Sequence, residues 1–341
     1  MDSTTLMAQV ECQPHLKDVN AHSLYASFQQ IHDGRCKRGI RYPLALLLSL
    51  IVLAKLAGMD NMNGVVEWVR HQSSWLNALF GTSYHRWLCF STYVYALGKL
   101  DPQVASFLLS SALLRLQAEH HGQPDPSLCK RRPDEHSHKH IAFDGKALRG
   151  TYGHHDPKQP SVHLCAFYEV QTGIVLAQRD VKEKENEISA LKEMLTPGLI
   201  KGRILSADAM HTQRFFCQQV THGGGAYLLT IKDNQPTLRE ELKLFFDDHA
   251  ADVRWHIHRD VSSGHGRMDV RITTTSPDLR DYLARQWCGI EQVFCIERTC
   301  IQQGKPTSVE VHYGITSLTP RQADAQRIGA LHRAHWAIEI V

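Results

Sequence analysis

HIAFDGKAL (residues 140–148), SVHLCAFYEV (161–170) and GIVLAQRDV (173–181) are short runs rich in strand-forming residues, with Thr172-Gly173 supplying a turn between the last two. Working outward, NEISALKEML (186–195) carries helical spacing and ends at Pro197-Gly198. GRILSAD (202–208) reads as a strand, HTQRFFCQQVTH (211–222) as a helix stopped by Gly223 to Gly225, and AYLLTI (226–231) as another strand. The sequence therefore predicts three strands in a hairpin arrangement, then helix, strand, helix and strand.

That order belongs to the α/β class and predicts a ribonuclease H-like mixed sheet. Beyond it, VRWHIHRDV (253–261), MDVRITTT (268–275), QVFCIERTCI (292–301) and TSVEVHYGIT (307–316) predict a β-rich insertion at about residues 250–316. Pro320 is expected to open a final helix, RQADAQRIGALHRAHWAIEIV (321–341), with Thr319 as its cap.

The first third reads as all-helical. PLALLLSLIVLAKLAG (43–58) has Pro43 at a helix start and Gly58 just past its end. Lys55 interrupts this run well short of the roughly 20 apolar residues of a membrane span, so a buried core helix is predicted. Asn63 is expected to cap GVVEWVRHQ (64–72), Ser91-Thr92 precede YVYALGKL (93–100), and Asp101-Pro102 open QVASFLLSSALLRLQAEHH (103–121). Trp68, Trp75 and Trp87 read as core residues. From Glu119 to His140 the text turns polar, with three prolines. The histidines of HSHKH (136–140) read as part of that connection, because no acidic or cysteine partner is spaced to complete a zinc site. The expected organisation is a helical domain over residues 1–120, a linker over 121–140 and an α/β domain over 141–341.

Composition narrows the function classes. A chain of 341 residues suggests roughly two domains. With 43% hydrophobic and 21% charged residues, wholesale disorder is excluded. Lysine and arginine total 38 against 35 acidic residues, a net charge of +3, which permits a polyanion partner without demanding one. The nine cysteines contain no C-x-x-C pair, which argues against a disulfide framework or a zinc ribbon and predicts a reducing cytoplasm. The opening MDSTTLMAQVECQPHLKD lacks the basic start and apolar stretch of a signal peptide.

Two aspartates carry the chemistry. Asp144 in IAFDGKALRG and Asp208 in ILSADAMHTQ each follow apolar strand residues and precede a change of direction, at the rim where ligands bind in open α/β sheets. Either alone reads equally well as a helix cap. If their strands are neighbours, the two carboxylates come within reach of one cation, and paired hard-oxygen ligands suit Mg²⁺ or Mn²⁺. Glu339 is a third candidate, sharing a helix face with Ile328, Leu331, His335 and Ile338 at spacings of three and four. Its bland alternative is a solvated chain end.

FDGKALRG (143–150), KENEI (184–188), SADAMHTQ (206–213), YLLTIKDNQPTL (227–238), GHGRMDVR (264–271), YGITSL (313–318) and RAHWAIE (333–339) stand in an order that resembles bacterial insertion-sequence transposases of the H-repeat-associated type. FQQIHDGRCKRGIRYPL (28–44) through STYVYALGKLDP (91–102) is similar to the helical domain that precedes their catalytic core. The resemblance implies a DDE enzyme with a ribonuclease H-like catalytic domain, a β-rich insertion, and its acidic triad on Asp144, Asp208 and Glu339. It departs in two places. His335 stands where an arginine is usual in the wider group, and the chain stops at Ile340-Val341 where the family text continues, which implies a truncated member.

The implied activity is metal-dependent phosphodiester cleavage and strand transfer, with two Mg²⁺ or Mn²⁺ ions held by the triad. The implied partner is double-stranded DNA, both element ends and target, bound by a homodimer in the bacterial cytoplasm at the nucleoid, with no membrane involved. Lys146 and Arg149 beside the first aspartate, Lys232, Asn234 and Gln235 after a strand end, His265 and Arg267 flanking Gly266, and Arg333 and His335 before the glutamate are the candidate DNA contacts. The rival reading is a non-catalytic DNA-binding remnant. A metal-dependent nuclease without strand transfer is a third.

Overall fold

In the computed structural model, residues 21–38, 40–121, 139–148, 162–181, 187–248, 253–264, 267–302 and 305–340 are described, with the side chains of 116–121, 147–148, 306 and 339–340 left out. The chain divides into two units, Met1–Lys130 and Arg131–Val341.

The first unit holds helices α1 (Ala21–Phe28), α2 (Leu44–Leu56), α3 (Met62–His71), α4 (Ser73–Phe80), α5 (Phe90–Leu97) and α6 (Pro102–His121). Helix α2 is apolar on all sides and forms the centre of this core, burying Leu46, Leu47, Leu50 and Ala54. Pro43 stands at its start, and Gly58 follows its end at φ +86°, a backbone state that favours glycine. The cap of α3 is Asn61, not Asn63: the Asn61 side chain accepts the Gly64 N–H at 2.9 Å, and Asn63 already lies in the first turn. Ser91 and Thr92 likewise fall inside α5. Asp101 accepts the Gln103 N–H at 2.9 Å and starts α6 as predicted. Trp68 and Trp87 pack on the core, whereas Trp75 is 42% exposed and meets Trp68 edge-on.

The second unit is built on one sheet of strands β1 (Lys139–Leu148), β2 (Val162–Glu169), β3 (Ile174–Val181), β4 (Arg203–Ala207), β5 (Ala226–Ile231), β6 (His256–Gly264), β7 (Arg267–Ser276), β8 (Gln292–Gln302) and β9 (Lys305–Thr316). The order is β3-β2-β1-β4-β5-β9-β8-β7-β6. The first three strands are antiparallel, and β4 and β5 run parallel to β1, the mixed ribonuclease H-like arrangement. Helices α7 (Glu187–Met194), α8 (Pro197–Ile200) and α9 (Arg214–His222) make the right-handed crossovers of such parallel pairs. One sheet face packs Ile141, Phe143, Leu205 and Leu229 with Phe216 of α9; the other packs Ile204, Leu228 and Phe294 with Ile328 and Leu331.

The β-rich insertion is not a separate sheet. Strand β9 pairs antiparallel with β5, so the insertion extends the core sheet to nine strands among the described residues. Helices α10 (Pro236–Asp248) and α11 (Arg280–Leu283) flank it, and α12 (Ala325–His335) leads into a 3₁₀ turn, Trp336–Ile340. Helix α12 starts five residues later than Pro320 suggested. Thr319 and Pro320 belong to a preceding turn in which Thr319 hydrogen-bonds Gln322, and Asp324 is the cap, accepting the Arg327 N–H at 2.8 Å. Among the described residues no helix is long and apolar enough to cross a membrane.

Candidate active site

Phe143 of β1 and Ala207 of β4 are register partners, the last pair of that parallel ladder. Asp144 and Asp208 are each the next residue. Strand β4 ends there, and Asp208 continues in extended backbone (φ −64°, ψ 162°) before a 3₁₀ turn over Ala209–His211. Strand β1 runs on to Leu148 beside β2 alone, so Asp144 lies within its strand rather than at the end that the sequence predicted. Ile141, Phe143, Leu205 and Ala207 share one core. By the two-residue alternation of a strand, Asp144 and Asp208 face the other side with Ala142 and Ser206.

Helix α12 returns the chain to that side. Ile338 of the terminal turn is buried against Ala142 and Tyr168. Glu339 follows it in the same turn, and its side chain lies outside the described residues. Among the described residues no group of three or more histidines, cysteines or acids is arranged to hold a metal ion. The donor chemistry of the two aspartates on neighbouring strands nevertheless fits Mg²⁺ or Mn²⁺, which take a few carboxylates and complete their shells with water and phosphate oxygens.

Lys232 Nζ lies 3.1 Å from Asp208 Oδ1 and 6.0 Å from the centre of the Trp336 ring. Partial burial works against ionisation of Asp208. The Ala209 N–H and the Lys232 ammonium outweigh it, so the carboxyl is held below its ordinary range. The amides of Asn234 and Gln235 donate to the carbonyls of Ala209 (2.5 Å) and Thr212 (3.1 Å), bracing the turn that follows Asp208.

The Transposase DDE domain family matches residues 135–341, and the domain described as DDE_Tnp_1-associated matches residues 25–106. This chain belongs to the DDE transposase family. It is 24% identical to the putative transposase YncI of Escherichia coli O157:H7 over 94% of this chain and 78% of that protein. It is 29% identical to the H repeat-associated putative transposase YhhI of Escherichia coli K12, over 58% of this chain and 53% of that one. A piggyBac transposase synaptic complex with hairpin DNA aligns with a TM-score of 0.37 at 9% identity, over 95% of this chain and 64% of that chain, a likeness too slight to argue from.

The remaining candidate contacts of this transposase are scattered. Lys146 is exposed on β1, two residues beyond Asp144. Arg333 is held by Asp260 of the insertion at 2.7 Å, and Arg267 lies 4.0 Å from Asp269. Arg149 and His265 fall outside the described residues. His335 is buried, with Nδ1 2.8 Å from Ser206 Oγ.

Sequence reasoning missed two groups in this transposase. His140, read as linker, is buried in β1, and its Nε2 lies 2.7 Å from the same Ser206 hydroxyl. The signal was a serine in the apolar strand ILSAD, a polar residue on the strand face shared with Asp208. His136 and His138 lie outside the described residues. The second group is Glu187, the acid of KENEI. Its Oε2 lies 3.2 Å from Nε2 of the buried His211, and its carboxylate covers Gly145 so closely that a Cβ there would sit 2.5 Å from Glu187 Cδ.

Proposed function

We propose that this chain catalyses DNA transposition, cutting phosphodiester bonds at the ends of an insertion sequence and joining them to target DNA. The observation that carries the reading is the register of β1 and β4, which sets Asp144 and Asp208 side by side on the sheet face to which α12 returns. Asp144, Asp208 and Glu339 are the residues that would hold two Mg²⁺ or Mn²⁺ ions. Such ions, when bound, activate water or a DNA 3′-hydroxyl and stabilise the leaving oxygen.

The chain's own groups prepare this site. Asp208 is kept ionised by the Ala209 N–H and Lys232, so a ligand carboxylate stands ready without a general base to deprotonate it. Asn234 and Gln235 fix the turn that aims it. Lys146, Arg149 and Lys232 are the nearest cations for DNA phosphates, and His265, Arg267, Arg333 and His335 extend the contact surface. The partner is double-stranded DNA, engaged by a homodimer.

The test is a cleavage and strand-transfer assay with Mg²⁺ on DNA bearing the element's flanking ends. Cleavage by the chain and its loss in Asp144→Asn and Asp208→Asn are expected. Undiminished cleavage by Asp208→Asn would overturn the metal-carboxylate assignment. DNA binding without cleavage by the unaltered chain would favour the non-catalytic remnant.

A further inference from the structure

One buried hydrogen-bond chain ties together the three elements that carry the three acids. His140 stands four residues before Asp144, Ser206 two before Asp208, and His335 four before Glu339. His140 Nε2 lies 2.7 Å from Ser206 Oγ, which lies 2.8 Å from His335 Nδ1. The three residues are 1%, 1% and 8% exposed, so water does not compete for these bonds.

A hydroxyl has a single proton, so Ser206 donates to one ring and accepts from the other. Were His335 Nδ1–H the donor into Ser206, Ser206 would donate to His140 Nε2, and the proton of His140 would sit on Nδ1. That nitrogen is buried with no hydrogen-bond partner among the described residues, and a buried N–H left unpaired carries its full desolvation cost. In the opposite direction His140 Nε2–H donates to Ser206 and Ser206 donates to His335 Nδ1. Only a lone pair is then left on His140 Nδ1, and His335 carries its proton on Nε2. Burial keeps both rings uncharged, pushing His140 down to about 3 and His335 to about 4. Asp208 and His335 also lie near enough for each charge to act on the other, on the sheet face of the acids.

We infer that Ser206 and His140 are positioning residues that fix the tautomer of His335, holding its Nε2–H out as a hydrogen-bond donor to a phosphodiester oxygen of bound DNA. The phosphate half of this inference rests on the transposition reading, and the tautomer half stands without it. The chain thereby links the placement of the donor to the placement of both aspartate-bearing strands. It supplies a directional donor that adds no positive charge beside the carboxylates.

The experiment is a long-range ¹H–¹⁵N correlation spectrum of the ¹⁵N-histidine-labelled chain at pH 7, which reports which ring nitrogen bears the proton. His140 and His335 are both expected as Nε2–H tautomers. Ser206→Ala should turn His335 into a mixture of tautomers, and Ser206→Thr, which keeps the hydroxyl, should restore the single form. His335 protonated on Nδ1, or on both nitrogens, in the unaltered chain would overturn the inference without any variant. A duplex oligonucleotide bearing an element end is then added, with binding followed by fluorescence anisotropy. The His335 Nε2 signal should shift on binding. Binding without that shift would overturn the donor role alone, and no binding would overturn the donor role together with the transposition reading.

Discussion

Lys232 Nζ stands 3.1 Å from Asp208 Oδ1, so the carboxylate assigned to a metal ion is already paired with a side-chain cation. Both partners are substantially exposed, at 47% and 39%, so solvent screens the pair and it adds little to stability. Its consequence is competition. Lys232→Met is expected to tighten Mn²⁺ binding by up to about fivefold, the range of an exposed ion pair, while weakening DNA binding. Mn²⁺ titration followed by electron paramagnetic resonance measures the first effect. Unchanged or weaker Mn²⁺ binding would show that Lys232 does not compete for Asp208.

Three buried imidazoles should make the fold sensitive to mild acid. Burial, the largest cause in each case, lowers His140 and His332 to about 3 and His335 to about 4, from an ordinary 6.5. The unfolded chain takes up these protons near pH 6.5 and the native one does not until far lower. The stability they contribute is therefore complete above pH 6.5 and declines as pH falls through 4 towards 3. Each group adds a slope of up to about 1.4 kcal/mol per pH unit within that window. Asp208, with its lowered value, acts separately, below its ordinary 3.8. Urea midpoints should fall between pH 7 and pH 5, and His332→Leu should flatten that fall. A midpoint independent of pH over this range would contradict the burial of all three rings.

Most strands were legible because HIAFDGKAL, GRILSAD and AYLLTI are short apolar runs between turn residues, a local signal. The register of Phe143 with Ala207 was not legible, since pairing between residues far apart in sequence leaves no periodicity. The same holds for β9 against β5: TSVEVHYGIT reads as a strand, yet nothing in it names its neighbour. Helix starts were misjudged where two candidates stood close together. Asn61 and Asn63, and Thr319 and Asp324, are told apart only by which side chain reaches a free N–H three residues on. Asp144 and Asp208 were found by their settings. Ser206 was passed over, because a lone serine in an apolar strand reads as a satisfied core residue until its two histidine partners are placed.

Gly314 marks the seam between the core strands and the insertion. It pairs with Thr230 of β5 and Phe294 of β8. A Cβ there would lie 2.0 Å from Phe294 Cζ and 2.5 Å from the Leu229 carbonyl oxygen. A ring can turn, but the backbone oxygen of a central strand cannot retreat. Gly314→Ala is expected to destabilise the second unit by about 1–3 kcal/mol or more, the range for overpacking a filled core. A thermal midpoint within a degree of the unaltered chain would show that the seam can open at no cost.

The last prediction concerns Gly145, beside Asp144. An added methyl would meet Glu187 Cδ and Oε1 at 2.5 Å and Oε2 at 2.6 Å. The Glu187 carboxylate is only 20% exposed and bonds His211, which is 1% exposed and sits three residues past Asp208. Moving it would break that bond and loosen the turn on which Asp208 is held. Gly145→Ala should therefore lower both thermal stability and Mn²⁺ affinity. Glu187→Ala alone should cost stability too, because it leaves His211 buried without its partner. Combined, the two substitutions remove the clash along with the group that causes it. The double variant should be more stable than the sum of the single losses predicts, by about 0.5–3 kcal/mol, the range of coupling between residues in contact. Strictly additive losses would mean that Glu187 does not rest on Gly145, and Mn²⁺ affinity unchanged in Gly145→Ala would separate Glu187 from the geometry of the aspartates.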